Sequence, residues 1–257
     1  MPSIVRPKAL TLSTRLKRLN VLLTIFSSPW ADQTKNGTNQ NLSGFRTLFG
    51  RFARNRDSVA LKGALSRYAR QVTGGSESVN ARLGNIIGAG GGLFELLNEG
   101  ITNDSGMKPL VDLDSLKGLP CEDVIAKISH SLSDGSEDAD KIQTAMNDAL
   151  VEALNGKSTF DPSDITDDVI IETMICYLTD SIFLQITMDA GKAWNNAQNA
   201  KELQVAENSL HELISATVDN IMEPKLSKNI RSFSKADFII IQKDVITEVW
   251  NEWKGYE

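Results

Sequence analysis

The stretch Asp167-Asp-Val-Ile-Ile-Glu-Thr-Met-Ile-Cys-Tyr-Leu-Thr-Asp-Ser-Ile-Phe-Leu-Gln-Ile-Thr-Met188 is the most apolar part of this 257-residue chain. It follows Asp161-Pro-Ser-Asp164, whose turn-forming residues indicate the start of a helix. Its apolar residues are not confined to one face, which predicts a central helix that other helices cover on several sides. Around such a helix we expect an all-α fold, a multi-helix bundle.

Helical periodicity continues on both sides of this segment. Pro120 is suited to the first position of a helix, and the polar run 133–140 separates this helix from the next. Pro224 is expected to stop a helix that begins near Ala197, and Ser234 with Asp237 predicts a capping box for the last helix. The expected inner faces of these four helices are, in chain order, Val124, Ile125, Ile128 and Leu132; Ile142, Ala145, Met146, Ala149 and Leu150; Leu203, Ala206, Leu210, Leu213, Thr217 and Ile221; and Phe238, Ile241, Val245, Val249 and Trp253.

The first third of the chain is helical too, but glycines interrupt it. Asp57 or Ser58 would cap a helix that ends at Gly74-Gly75, with an apolar stripe of Leu61, Leu65, Tyr68 and Val72. A second helix would run from about Ser76 through Ile87. Gly84, Gly88 and Gly90-Gly-Gly92 weaken this helix and predict a break or a close contact between helices there. The cluster Gly88-Ala-Gly-Gly-Gly92 does not predict a nucleotide-binding loop, because no Gly-Lys-Ser/Thr follows it.

Three regions are expected along the chain. Residues 1–43 form a poorly ordered N-terminal extension and linker, because 31–43 contain almost nothing that could be buried. Residues 44–100 form a basic, glycine-broken helical region, and residues 101–257 an acidic helical bundle. The apolar run Val21–Phe26 is too short to span a membrane, and we expect the first 27 residues to pack poorly on the body.

The charges of the chain are unevenly distributed. Residues 1–90 hold 14 Lys/Arg against 3 Asp/Glu, and residues 91–257 hold 13 against 30, so the two parts carry net charges of +11 and −17. This split predicts two parts with different roles, or two parts that partly neutralise each other. The arginines concerned are interleaved with aromatic residues, and they are Arg46, Arg51, Arg54, Arg56, Arg67, Arg70 and Arg82.

This Arg-rich region, 46–82, has two interpretations. Arginine binds phosphate and aromatic rings stack on bases, which together would make a helical nucleic-acid-binding module. However, Phe45, Phe49 and Phe52 recur at i, i+4 and i+7, the spacing of a buried face. We therefore expect contact with an acidic protein surface, including this chain's own acidic helices, in preference to nucleic acid.

Catalytic chemistry has little support in the sequence. His130 and His211 are isolated on helical patterns, and Cys121 and Cys176 have no metal-ligand spacing, which suits a reducing, cytoplasmic setting. Three acidic pairs could bind a cation or act as acid and base, but each falls at an expected helix start, where carboxylates cap the helix. These pairs are Asp134/Asp138, Asp161/Asp164 and Asp167/Asp168. We expect no enzyme activity, no cofactor and no metal.

The order of several short motifs resembles QatB, a component of the QueC-associated (Qat) anti-phage systems of bacteria. The resemblance extends over residues 28 to about 223. Its motifs are Phe45-Arg-Thr-Leu-Phe-Gly-Arg-Phe-Ala53, Leu61-Lys-Gly-Ala-Leu-Ser-Arg-Tyr-Ala69, Thr73-Gly-Gly75, Ala81-Arg-Leu-Gly84 and, less specifically, Leu113–Leu119 and Ile171–Leu184.

The resemblance implies a non-catalytic subunit that acts with a P-loop ATPase, a QueC-like enzyme and a TatD-like nuclease. In that family the QueC-like enzyme is the expected contact, and a glycine-rich N-terminal tail that opens Met-Gly is the target of modification. This chain instead opens Met1-Pro2-Ser3, so the tail chemistry does not transfer directly. The residues expected to bind a partner are Trp30, Arg46, Arg51, Arg54, Arg67 and Arg70.

Overall fold

A computed structural model describes residues 39–256 except 73, 75, 103–110, 134, 136–137 and 228. Within these residues nine α-helices and one short antiparallel strand pair form the fold, which confirms the all-α prediction. The helices are α1 Asn39–Asn55, α2 Ser58–Arg67, α3 Ser76–Arg82, α4 Gly84–Glu99, α5 Cys121–Ser133, α6 Ala139–Ala153, α7 Asp167–Ala190, α8 Ala200–Leu226 and α9 Lys235–Lys254. The strands are β1 Ile101–Thr102 and β2 Val111–Asp112.

Helix α7 is the central helix that the apolar stretch predicts. Helices α1, α4, α6 and α8 all pack against it, and from Tyr177 to Thr187 every residue is buried. Within the described part of the chain, Asp167–Asn196 is the one segment long and apolar enough to cross a membrane, yet 78% of its most apolar window is buried inside the protein. Such burial is typical of a core helix.

The glycine cluster lets α4 approach its neighbours closely. Gly90 and Gly91 lie inside α4 and are buried. A Cβ on Gly90 would lie 2.7 Å from Cε1 of Tyr177, and one on Gly91 would lie 2.7 Å from Cγ1 of Ile239. The predicted break is also present, because α3 ends at Arg82 and α4 begins at Gly84.

Several helix starts agree with the sequence, but some helix ends do not: α2 ends at Arg67, before the expected Gly74-Gly75, and α3 ends at Arg82, before the expected Ile87. Asp57 caps α2 by accepting hydrogen bonds from the backbone N–H groups of Val59 at 2.9 Å and Ala60 at 3.2 Å. Ser234 and Asp237 form the expected capping box. The prediction that Pro224 stops its helix is wrong: α8 continues to Leu226. Proline removes the N–H that would donate to the Asn220 carbonyl, but α8 ends only two residues later, so the lost hydrogen bond falls within its final turn.

One continuous apolar core includes residues from both sides of position 100, for example Phe49, Phe94, Leu178 and Trp250. The division at residue 100 stays a prediction about how the chain is organised. Residues 1–38, including Trp30, lie outside the described residues, as does the expectation that the first 27 residues pack poorly. Residues 39–43 of the expected linker instead belong to α1, and Leu42 is 2% exposed.

Candidate partner-binding surface

The aromatic residues of the Arg-rich region belong to the core. Phe45, Phe49, Phe52 and Tyr68 are at most 1% exposed. The ring of Phe49 meets Trp194 edge-on with centroids 4.7 Å apart, and Phe45 and Tyr68 lie 5.0 Å apart. Their helical spacing therefore marks a buried face, as expected, and these four rings are not available to stack on bases.

Two of the predicted partner-binding arginines bind the C-terminal ends of helices in the same chain. Nε of Arg46 donates to the backbone carbonyl of Asp189 at 2.8 Å, near the end of α7. Nε of Arg70 donates to the carbonyl of Lys254 at 3.1 Å, at the end of α9. Carbonyl groups at a helix end lack partners within the helix and carry partial negative charge, so a guanidinium group stabilises them. Arg46 and Arg70 thus have structural roles.

A third arginine joins the basic and acidic parts of the chain through a buried carboxylate. Nη2 of Arg82 lies 2.6 Å from Oδ2 of Asp189, whose side chain is 9% exposed. The same oxygen accepts hydrogen bonds from the Tyr68 hydroxyl at 2.7 Å and from Nε2 of Gln185 at 3.0 Å. Burial, and then the Asp189 carboxylate, raise the pKa of Tyr68 well above its usual value. At this point the two charged parts neutralise each other.

The network continues from Asp189 across the bundle. Gln185 accepts a hydrogen bond from Nζ of Lys141 at 2.8 Å, and Lys141 forms an ion pair with Asp138 at 2.5 Å. The sequence analysis did not single out Asp189 or Gln185. Polar residues spaced i, i+4 in an otherwise apolar segment were the signal that could have identified them.

The remaining arginines point to solvent. The side chain of Arg51 is 63% exposed and lies 3.4 Å from Asp57. Arg54 is exposed and donates to Oδ1 of Asn196 at 3.1 Å. Arg67 is exposed on α2 and lies over Gly44 of α1. Val59, in the first turn of α2, is 67% exposed, the highest value among the large apolar side chains that the structure describes.

The residues considered for catalysis do not form a joint site. Nε2 of His211 lies 2.8 Å from Oδ1 of the buried Asp180 on the neighbouring helix, whereas His130 is exposed on α5. Cys121 and Cys176 are both free thiols. In the described ranges, no group of three or more His, Cys, Asp or Glu side chains could hold a metal ion.

The acidic pairs have structural partners. Asp161 caps the turn that follows it, and hydrogen bonds from the N–H and hydroxyl of Ser163, together with Lys117, lower the pKa of Asp161 to about 2. Asp164 pairs with Lys157 at 2.8 Å and Asp167 with Arg231 at 2.7 Å. Asp134 lies outside the described residues. Capping and ion pairing account for these carboxylates.

Comparison with known proteins identifies one family. A family model described as "QatB: Qat anti-phage system associated protein QatB" matches residues 74–253. No curated protein and no solved structure matches the chain. The matched range includes the motifs at 81–84, 113–119 and 171–184 but not those at 45–53 and 61–69, so it lies further along the chain than the resemblance over 28–223 suggested.

Proposed function

Because the chain belongs to the QatB family of Qat anti-phage system associated proteins, we propose that it is a non-catalytic subunit of a multi-gene defence complex. Its main contact is a QueC-like enzyme, and the ATPase and TatD-like nuclease of the same operon are further partners. The contact uses the N-terminal tail, including Trp30, together with the exposed arginines of α1 and α2. No cofactor is required for this role.

The observation that carries the proposal is the division of the arginines between two roles. Arg46, Arg70 and Arg82 bind carbonyl or carboxylate groups of the same chain, although Arg70 is itself exposed. Arg51, Arg54 and Arg67 remain exposed on α1 and α2. Exposed arginine beside an apolar side chain is typical of protein interfaces. We therefore limit the arginine part of the contact to these three residues.

The position of α1 supports a joint contact by tail and arginines. This helix begins at Asn39, directly after the N-terminal segment, and its exposed side carries Ser43, Thr47 and Arg51. A partner that holds the tail would therefore meet this side of α1. The two free thiols suit a reducing compartment, so we place the complex in the cytoplasm.

A second candidate function is nucleic-acid binding through the same exposed arginines. With the four rings of the region buried, this mode would have to rely on phosphate contacts by Arg51, Arg54 and Arg67. Binding of that kind is insensitive to sequence and falls steeply with salt. The mostly acidic remainder of the chain disfavours it, so it ranks second.

Co-purification from the native four-gene operon tests the first proposal. We expect the tagged chain to retain the QueC-like enzyme. The triple variant R51E/R54E/R67E should retain at least about tenfold less of that enzyme. The control K127E/K201E/K243E makes the same change in net charge at exposed lysines on other helices and should bind normally. Trp30→Ala examines the contribution of the tail.

Two outcomes decide between the candidates. If none of the three partner proteins co-purifies with the wild-type chain, the subunit proposal is wrong. If the purified chain shifts the fluorescence anisotropy of a labelled DNA duplex or RNA strand, and the triple variant abolishes the shift, nucleic-acid binding replaces it. A melting curve for each variant confirms that the charge changes leave the fold intact.

A further inference from the structure

The junction of α1 and α2 forms an exposed basic surface around one apolar side chain. We call it the basic corner and define it by Arg51, Arg54, Arg56, Val59 and Lys62, all of which are exposed. The side chain of Asp57, which caps α2, is the one carboxylate within this span. An exposed β-branched side chain among four cations is suited to a contact that combines charge with a small apolar area.

The backbone at the basic corner places a cation where glycine would fit more easily. Arg56 has φ of 56°, the one positive φ outside glycine in the described chain. Its N–H donates to the carbonyl of Phe52 at 2.7 Å, as the residue after a helix end does in the left-handed conformation. Side chains with a Cβ disfavour this conformation, so the arginine here is not explained by local folding.

Helix α9 presents the opposite pattern. Its exposed side carries Asp237, Ile240, Asp244 and Glu248, spaced i, i+3, i+7 and i+11, and we call this set the acidic stripe. Ile240 is 57% exposed. Glu248 is 51% exposed and pairs with Lys225 at 2.9 Å, and Lys243 is an exposed cation next to the stripe. The stripe thus repeats the corner's arrangement with carboxylates in place of cations.

The apolar centre of the acidic stripe is remote from the point where α2 contacts α9. Helix α2 reaches the C-terminal end of α9, where Nζ of Lys62 lies 5.4 Å from the centre of the Tyr256 ring and Ser66 donates to the Lys254 carbonyl at 3.4 Å. Ile240 lies fourteen residues before Lys254 on the same helix, or about 21 Å at 1.5 Å per residue. Glu248, at the other end of the stripe, lies six residues before Lys254. Ile240 is therefore open to a second molecule.

We propose that the basic corner of one copy of this chain binds the acidic stripe of a second copy. In this contact Arg54, Arg56 and Lys62 face Asp237, Asp244 and Glu248, and Val59 packs against Ile240. Because the two surfaces differ, each bound pair leaves one corner and one stripe open, and the contact repeats from head to tail. Exposed ion pairs are individually weak and screened by salt, so the association is reversible and strongest at low ionic strength.

Sedimentation velocity of the purified full chain tests the proposal without any partner protein. At roughly 0.05 M salt, where charges are screened least, we expect the mean sedimentation coefficient to rise with protein concentration. At roughly 0.5 M salt the rise should disappear. The corner variant R54E/R56E and the stripe variant D244K/E248K should each associate at least about tenfold more weakly than the wild type.

Mixing the two variants gives the decisive result. The corner variant keeps its stripe and the stripe variant keeps its corner, and the two charge-reversed surfaces are complementary to each other, so an equal mixture should recover the salt-sensitive association that each variant alone has lost. The control K127E/K201E should associate like the wild type, and Val59→Ser and Ile240→Ser provide milder changes should a charge reversal unfold the protein. A wild-type chain that stays monomeric, variants that associate normally, or a mixture that fails to associate would each overturn the proposal.

Because the experiment uses the chain alone, its failure leaves the subunit proposal standing, and loss of partner co-purification leaves self-association standing. Arg51 and Arg54 belong to both surfaces, however. If both proposals hold, an excess of the QueC-like enzyme should lower the sedimentation coefficient of the assembled chain toward that of a one-to-one complex. A mixed complex that grows with chain concentration would show that the two contacts do not overlap.

Discussion

Replacing Gly90 by alanine is expected to destabilise the protein, although the same change at Gly88 of the same helix should stabilise it. In a helix interior, alanine is favoured over glycine by about 1 kcal/mol. At Gly90 the new methyl group would overlap Oε1 of Gln242 and lie 2.7 Å from Cε1 of Tyr177. One of these two side chains, or α4 itself, would have to move.

Neither neighbour can move without losing a buried hydrogen bond. The Tyr177 hydroxyl donates to the Ile86 carbonyl at 2.8 Å, and Nε2 of Gln242 donates to the Ile87 carbonyl at 3.1 Å. Overpacking costs about 1–3 kcal/mol, and a buried polar group left without a partner costs about 1–3 kcal/mol more. After the helix-propensity gain is subtracted, Gly90→Ala should lower the free energy of unfolding by about 1–5 kcal/mol.

Gly88 is the matched control. It lies two residues earlier in the same helix, it is exposed, and an added Cβ would meet nothing within 4 Å. Gly88→Ala should therefore raise the free energy of unfolding by about 1 kcal/mol. Urea denaturation followed by circular dichroism measures both variants, and the slope with urea should stay constant. If Gly90→Ala proves as stable as the wild type, the close approach of α4 to α7 and α9 is refuted.

Two further predictions concern buried polar groups. Asp189→Ala removes the carboxylate shared by Arg82 and Tyr68 and should cost about 3–5 kcal/mol in urea denaturation, whereas the exposed Asp244→Ala should stay within about 0.5 kcal/mol. Burial raises the pKa of both Tyr68 and Tyr177. In the unfolded chain a tyrosine loses its proton near pH 10, whereas in the folded protein these two stay protonated to higher pH. Their contribution to the free energy of unfolding is therefore fully present below pH 10 and falls above it, by about 1.4 kcal/mol per pH unit for each tyrosine. A stability curve that stays flat from pH 10 to pH 11 would contradict the second prediction.

The sequence predicted the helices where one physical signal was sufficient. The apolar continuity of 167–188 identified α7, and the apolar residues expected on the inner face of α6 are all buried. Asp57 and Ser234 marked helix starts because their side chains satisfy backbone N–H groups that the helix leaves unpaired. Pro224 was misleading, because the bias of the residue before a proline away from the helical conformation is a preference only, and α8 continues for two residues beyond it.

The candidate surface could be predicted only in part. Sequence spacing separated the buried rings from the arginines, since Phe45, Phe49 and Phe52 share one helix face. Sequence spacing could not show that Arg46 has a structural role whereas Arg51 is exposed, because these roles depend on whether a carbonyl or carboxylate distant in sequence lies within reach. Asp189 and Lys254 are more than a hundred residues away from the arginines they bind, so only the tertiary structure brings them together.

The division of the arginines between structural and exposed positions changes what the charge imbalance of the chain implies. A net charge of +11 in residues 1–90 would favour nucleic acid if all of it were exposed. Arg46, Arg70 and Arg82, however, contribute to folding, and no ring of the region can stack on a base. In the described residues, the exposed cations of the basic corner adjoin one exposed apolar side chain, Val59. This arrangement suits an acidic protein surface better than a continuous row of phosphates. It therefore supports the proposed contact with a protein in preference to nucleic acid.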